Sequence, residues 1–358
     1  MALTRENVLA ALRTVKDPEL FKDIVTLNMV KDVRVDGDHV HVHVELTTPA
    51  CPLKDVIKKD VEAAVKRAGA ASVNVELSAN TRGTPMGEKK NVLPQVKNVI
   101  AVGAGKGGVG KSTVAVNLAV GLHRTGARVG LMDGDIYGPS MPTMLGIKGV
   151  PPQVRGAKIL PHHVHGIHAI TIGSLVEPEK PLIWRGPMAH GAFKQLLLDN
   201  TEWPDLDYLI VDLPPGTGDV PLTLCQLLPL TGAVVVATPQ QVALDDAVRA
   251  VRMFQQLGAP ILGLVENMSH LICPHCGKRI SLFGEPKGEM LALGLGLPFL
   301  GAVPLDPSIA QLSDEGRIEA YSSPVIASIA DKLRIRVANQ AEQLSRTLPI
   351  AWSVEPAH

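Results

Sequence analysis

Residues 98–126 read NVIAVGAGKGGVGKSTVAVNLAVGLHRTG. Val99–Val102 is an unbroken apolar run, as a strand covered on both faces must be. A glycine-rich turn follows, and from Lys111 apolar residues recur at helical spacing until Gly126. Gly105, Lys106, Gly107, Gly108, Val109, Gly110, Lys111 and Ser112 fit the pattern G-x-x-x-x-G-K-S/T between that strand and that helix. Glycines let successive backbone N–H groups close round phosphate oxygens, and the helix N-terminus adds positive potential. In such a loop Lys111 reaches the β- and γ-phosphates and Ser112 ligates Mg²⁺.

Downstream, short apolar runs alternate with helical stretches: ARVGLMD, IHAITIG, DYLIVD, GAVVVATP, PILGLVEN and PFLGAVP. This alternation predicts an α/β fold, a doubly wound and mostly parallel sheet with its chemistry at the carboxyl ends of the strands. Asp133 and Asp135 stand where ARVGLMD ends, and Asp212 ends DYLIVD before Leu213-Pro214-Pro215-Gly216-Thr217-Gly218-Asp219. A strand-end Asp often caps the next helix. Beside a phosphate loop, Asp212 instead suits Mg²⁺ held through water.

Residues 1–80 predict a small α+β unit in the order α-β-β-α-β, with a hairpin at Asp36-Gly37-Asp38. Residues 81–96 read as a linker, 97–347 as the sheet-and-helix unit, and 348–358 as an irregular tail with two prolines. The last long helix is expected from about Pro324 to Arg346. His39, His41 and His43 alternate on one strand face; with no evident carboxylate or cysteine partner they read as a solvated polar face. His162, His163 and His165 fall in a loop-like stretch and take no role, and Met141, Met144 and Met188 read as packing or switch-loop residues.

The 358 residues carry 35 Lys plus Arg against 35 Asp plus Glu. That balance argues against a surface built to hold nucleic acid or anionic lipid. No run of 18 apolar residues and no apolar stretch behind the charged N-terminus is present, so neither a membrane span nor a secretory signal is expected. The expectation is a soluble cytoplasmic protein. Cys51, Cys225, Cys273 and Cys276 are too few for a disulfide framework and are expected as reduced thiols.

Cys273-Pro274-His275-Cys276-Gly277 offers two thiolates three residues apart. A closed tetrahedral site or a four-iron cluster wants four, and Cys51 and Cys225 make no second pair. A two-fold dimer supplies the count. A dithiol redox site would want the first cysteine at a helix N-terminus, whereas Gly277 and the strand-like RISLF follow. A zinc shared between copies takes the same four thiolates, and an inert pair also stands open. Cys225, in PLTLCQLLPL, reads as a core residue. Cys51 lies between a strand end and a helix start, so it is either cluster-related or a buried structural thiol.

Lys106-Gly107-Gly108-Val109-Gly110-Lys111-Ser112-Thr113 resembles the deviant Walker A of the MinD/ParA/nitrogenase-iron-protein class. With Asp133–Ser140, Trp184-Arg185-Gly186-Pro187-Met188 and Asp212–Asp219, residues 97–345 are similar to the Mrp/ApbC iron–sulfur carrier ATPases of that class. Residues 1–80, with Asp17-Pro18-Glu19 and Thr47-Thr48-Pro49-Ala50-Cys51-Pro52, resemble the small iron–sulfur-assembly domain often fused ahead of them.

The resemblance implies a slow, Mg²⁺-dependent ATPase that works as a homodimer. It implies a labile iron–sulfur cluster between the Cys273/Cys276 pairs of two copies, received from a scaffold or donor and handed to apo iron–sulfur proteins. Lys106 would reach across the dimer to the other copy's phosphates, doing the electrostatic work of an arginine finger. Asp135 would position the attacking water, Asn267 would read the adenine edge, and Pro304 and Asp306 would close over the base. Thr113 completes the nucleotide-binding set. A MinD- or ParA-like positioning ATPase is the alternative. It would want a basic amphipathic C-terminal helix or a basic face, and TLPIAWSVEPAH and the neutral charge offer neither. A nitrogenase-type reductase uses widely spaced single cysteines.

Overall fold

The computed structural model describes residues 3–16, 22–27, 29–46, 54–79, 92–135, 138–174, 191 and 193–347. In the N-terminal unit the helix Arg5–Leu12 starts at Thr4, whose Oγ1 accepts the Asn7 N–H at 3.3 Å. Strands β1 (Val30–Asp36) and β2 (His39–Leu46) pair antiparallel across Gly37, whose φ of 58° favours glycine. The helix Lys54–Arg67 then brings β3 (Ser72–Ala79) back parallel to β2. Val40, Val42 and Val44 pack with Ile57, Val61 and Val65 of that helix.

The opposite face of β2 departs from expectation. His41 Nε2 lies 3.3 Å from Glu76 Oε2, His43 Nε2 lies 2.7 Å from Ser78 Oγ, and His39 meets Ser72. The parallel register sets the polar residues of β3 beside these histidines. The partners are 33 to 35 residues away in sequence, beyond the reach of local pattern. The face is polar, and it is paired.

The large sheet uses β4 (Val99–Gly103), β5 (Val129–Asp133), β8 (His162–Val164), β9 (Ile167–Thr171), β10 (Tyr208–Asp212), β11 (Leu230–Ala237), β12 (Ile261–Glu266) and β15 (Phe299–Ala302). Two small hairpins stand apart, β6 (Gln153–Arg155) with β7 (Lys158–Leu160) and β13 (Leu271–Ile272) with β14 (Arg279–Ile280). The order is β15-β12-β11-β4-β10-β5-β9-β8, all parallel except the edge pair β8–β9. This is the α/β doubly wound architecture.

Successive residues of β4 serve opposite layers. Ile100 and Val102 join a core with Leu118 and Leu122 of the helix Lys111–Arg124 and Ile329 and Leu333 of the helix Pro324–Thr347. Val99 and Ala101 join another with Leu224 and Phe254, from the helices Asp219–Leu227 and Gln241–Gln256. Each such Leu or Phe contributes about 1.5–3 kcal/mol, so β4 is held firmly at the centre. Gly121 lets the helices of the first layer approach closely, since a Cβ there would lie 3.1 Å from that of Ala330.

Three local readings change. His162–Val164 is an edge strand rather than loop, and His165 Nδ1 pairs with Glu319 Oε2 at 2.9 Å. Within the span read as linker, Leu93 and Val96 are buried against the second core, and Val96 bridges to Leu206. Of RISLF, only Arg279–Ile280 forms a strand. Met141 and Met144 are buried packing residues, and Cys225 sits in the core. Cys51, Met188 and the Asp17–Glu19, Thr47–Pro52 and Trp184–Met188 motifs lie outside the described residues. No described helix is long and apolar enough to cross a membrane.

Candidate functional site

The central strand β4 runs into the phosphate loop and then into the helix that starts at Lys111. Gly108 and Gly110 take φ values of 79° and 78°, the left-handed region that favours glycine. A side chain at Gly105 would overlap the Asp246 carbonyl oxygen, so the loop also needs glycine for close backbone approach. Val109 is buried, Gly107 and Gly108 are exposed, and Lys106 and Thr113 are half-buried.

Parallel pairing sets Asp133 at the end of β5 directly beside Asp212 at the end of β10, next to the phosphate loop. Lys111 Nζ lies 2.6 Å from Asp212 Oδ1 and 3.5 Å from Asp135 Oδ2. Ser112 Oγ donates to Asp212 Oδ2 at 2.5 Å. Asp133 accepts the Thr171 hydroxyl at 2.7 Å and the Asp135 backbone N–H at 3.1 Å. Burial and then the nearby Asp212 push the Asp133 carboxyl up to about 7, and burial raises Asp212 against the pull of Lys111. Asp212 and Asp135 thus share one ammonium, with Asp133 beside Asp212 and the Ser112 hydroxyl in the set. The Ser112 hydroxyl and the Asp212 carboxylate are hard oxygen donors of the kind that a Mg²⁺ ion takes.

Asn267, just after β12, reaches the loop from the other side, and its Nδ2 donates to Val109 O at 2.9 Å. It borders a cavity of about 360 Å³ with Thr113, Met268, Pro304, Asp306 and Ile309. Pro304 and Asp306 therefore share a wall with Asn267. The Asp306 carboxylate is committed, however: it caps the helix Pro307–Asp314 through Ser308 and accepts from Tyr321 Oη at 3.1 Å. Asp133, to which the motif reading gave no role, and Thr171, which it did not name, both belong to the site. Asp133 stood in the sequence at a strand end, while Thr171 becomes its neighbour only through the β5–β9 pairing.

The cysteines lie elsewhere on the chain's path. Cys273 and Cys276 sit in the turn between β13 and β14, closed by Cys273 N–H to Lys278 O and Gly277 N–H to Cys273 O, both 2.9 Å. Gly277 takes φ 68°, and no helix begins at Cys273, so the helix N-terminus that a dithiol redox site wants is lacking there. Backbone hydrogen bonds from Cys276 and then His275 hold the Cys273 thiol below the usual range. Cys276 is exposed and Cys273 half-buried. Among the described residues no group of three or more His, Cys, Asp or Glu is placed to hold a metal ion.

A phosphate loop at the centre of a doubly wound parallel sheet, with acidic strand ends beside it, defines a P-loop NTPase. The NUBPL iron-transfer P-loop NTPase family model matches residues 95–338, and an iron–sulfur cluster assembly protein model matches residues 5–77. The chain belongs to the NUBPL iron-transfer P-loop NTPase family. It is 49% identical to an iron-sulfur cluster carrier protein of Synechocystis over 91% of this chain and 94% of that one. An iron-sulfur cluster carrier protein of Deinococcus radiodurans is 46% identical over 96% and 97% of the two chains. A nucleotide-binding protein of Archaeoglobus fulgidus, solved in complex with ADP, aligns with a TM-score of 0.59 and 38% identity over 65% of this chain and 92% of that one.

Proposed function

We propose that the chain is an ATP-hydrolysing carrier of iron–sulfur clusters, which holds its cargo between two copies and passes it to apo-proteins. The observation that carries this is the Cys273/Cys276 pair, one thiol exposed and one half-buried, which offers two ligands where a cluster wants four. Two copies related by a two-fold axis would supply four thiolates. Ile272, Ile280, Leu282 and Phe283 are exposed beside the cysteines, an apolar surround suited to an interface.

In this reading the loop N–H groups and Lys111 bind the phosphates, and Thr113 and Asn267 border the base cavity. Asp135 orients the attacking water, and Asp133 holds Asp135 through its backbone N–H. Lys106, half-buried and in no ion pair among the described residues, is available to reach a second copy's phosphates. Ser112 and Asp212 would hold Mg²⁺, which neutralises β- and γ-phosphate oxygens when bound. Residues 1–80 are the accompanying assembly domain, and the protein acts in the cytoplasm.

The test is anaerobic reconstitution with iron and sulfide, reading absorbance, iron content and mass for the wild type and Cys273→Ser. A dimer with about two irons per protomer, lost in the variant, is expected for one bridging four-iron cluster. A dimer that refuses iron and keeps one zinc per pair would make the cysteines structural.

A further inference from the structure

The cysteines ride on an excursion, residues 268–287, that leaves the sheet after β12 and returns at the helix Gly288–Gly294. Its exit is sharp: Met268 has φ 53°, a left-handed conformation that a non-glycine residue seldom adopts. Its return is fixed by a single side chain. Glu266 Oε1 accepts the backbone N–H groups of Lys287 at 2.9 Å and Gly288 at 2.8 Å, so one carboxylate at the last position of β12 clamps both ends together. Gly288 is needed for the contact, since a Cβ there would lie 2.8 Å from that of Glu266.

Glu266 is 1% exposed, and its Oε2 is buried with no hydrogen-bond partner among the described residues. A buried unpaired oxygen is destabilising, and an apolar residue at this position would avoid that cost. The neighbouring residues lead to the nucleotide. Asn267 holds Val109 of the phosphate loop, Ser269 N–H donates to Val303 O at 2.9 Å, and Leu305 N–H donates to His270 O at 2.7 Å beside the base cavity. His270 feels both Glu266 and Arg279 of the cysteine hairpin. With one N–H on Val109 O, the Asn267 amide keeps its second N–H and its Oδ1 for a base, so a bound base would tie the strand end that carries Glu266 to the phosphate loop.

We propose that Glu266 is a positioning residue that transmits nucleotide occupancy to the cysteine hairpin, by holding the base of residues 268–287 to the strand end that carries Asn267. The inference rests on the reading above that Asn267 meets the nucleotide and the cysteines meet the cargo. Transmission requires the nucleotide to favour one arrangement of this junction over the other.

Hydrogen exchange on the full chain, with and without a non-hydrolysable ATP analogue, tests it without any cluster. In the wild type, exchange within 268–287 is expected to slow about threefold or more when the analogue binds. In Glu266→Ala that response is expected to vanish while protection of 105–113 and analogue affinity persist. Glu266→Gln keeps the accepting oxygen and is expected to restore the response. If Glu266→Ala does not fold, Gly288→Ala crowds the same contact from the other side and should give the same loss. A wild-type hairpin that ignores the analogue, or an Ala variant that still responds, overturns the proposal. Failure of the carrier reading would appear separately, as a wild type that responds to nucleotide yet assembles no cluster.

Discussion

Lys111 and Asp212 share a buried 2.6 Å ion pair, one from the first residue of the phosphate-loop helix and the other from the last residue of β10. The lysine that a phosphate needs is thus already oriented by a carboxylate. Replacing it with Ala leaves Asp212, Asp135 and Asp133 facing one another. Lys111→Ala is expected to lose at least ~100-fold in ATP turnover. Without Mg²⁺ it should also lose about 3 kcal/mol of stability, read by urea denaturation. Cluster assembly on the isolated variant should survive, and delivery to an apo-acceptor should not. Equal delivery by the variant would break the link between hydrolysis and transfer.

Asp133 imposes a pH dependence whose sign is fixed. Its folded carboxyl is raised to about 7 by burial and then by Asp212, against an ordinary value of 3.8. Between these values the folded chain keeps a proton that the unfolded chain has released. Its contribution to stability is therefore full below 3.8 and is lost as pH rises towards 7, by a total on the order of 4 kcal/mol. Denaturation midpoints without nucleotide or Mg²⁺ should fall from pH 5 to 8 more steeply in the wild type than in Asp133→Asn. Parallel slopes would refute the assignment.

Three described thiols should separate by reactivity. Cys273 is held low by the Cys276 and His275 backbone groups, whereas burial pushes Cys225 up to about 12. Mass spectrometry after iodoacetamide treatment near pH 7 should find Cys273 modified first and Cys225 only after unfolding.

Phe283, exposed beside the cysteine hairpin, tests the two-copy reading. Phe283→Asp should weaken self-association by roughly tenfold or more in sedimentation velocity and reduce cluster retention in parallel. Unchanged association would place the interface elsewhere.

Much of this was legible because it is local. The glycines, Lys111 and Ser112 are close in sequence, Asp133 and Asp212 each end an apolar run, and Asp135 stands two residues past the first. What pattern could not supply was set by pairing between distant segments. The β2–β3 register gave His41 its Glu76, and the β5–β9 register gave Asp133 its Thr171. Glu266 looked like one more residue of a strand end. Its meaning depends on the return of the chain 21 residues later, to an amide that no side-chain pattern announces.

The sheet order carries a last consequence. β5, which bears Asp133 and leads to Asp135, and β12, which leads to Asn267, are each second neighbours of β4, on opposite sides. In the proposed reading, with Asp135 at the γ-phosphate and Asn267 at the base, the two ends of the nucleotide would be judged by two separate wings of one sheet. ADP would then satisfy the wing that leads to the cysteines and desert the acidic one. On that reading, loss of phosphate and departure of the base would be two distinguishable signals, received in order by the same molecule.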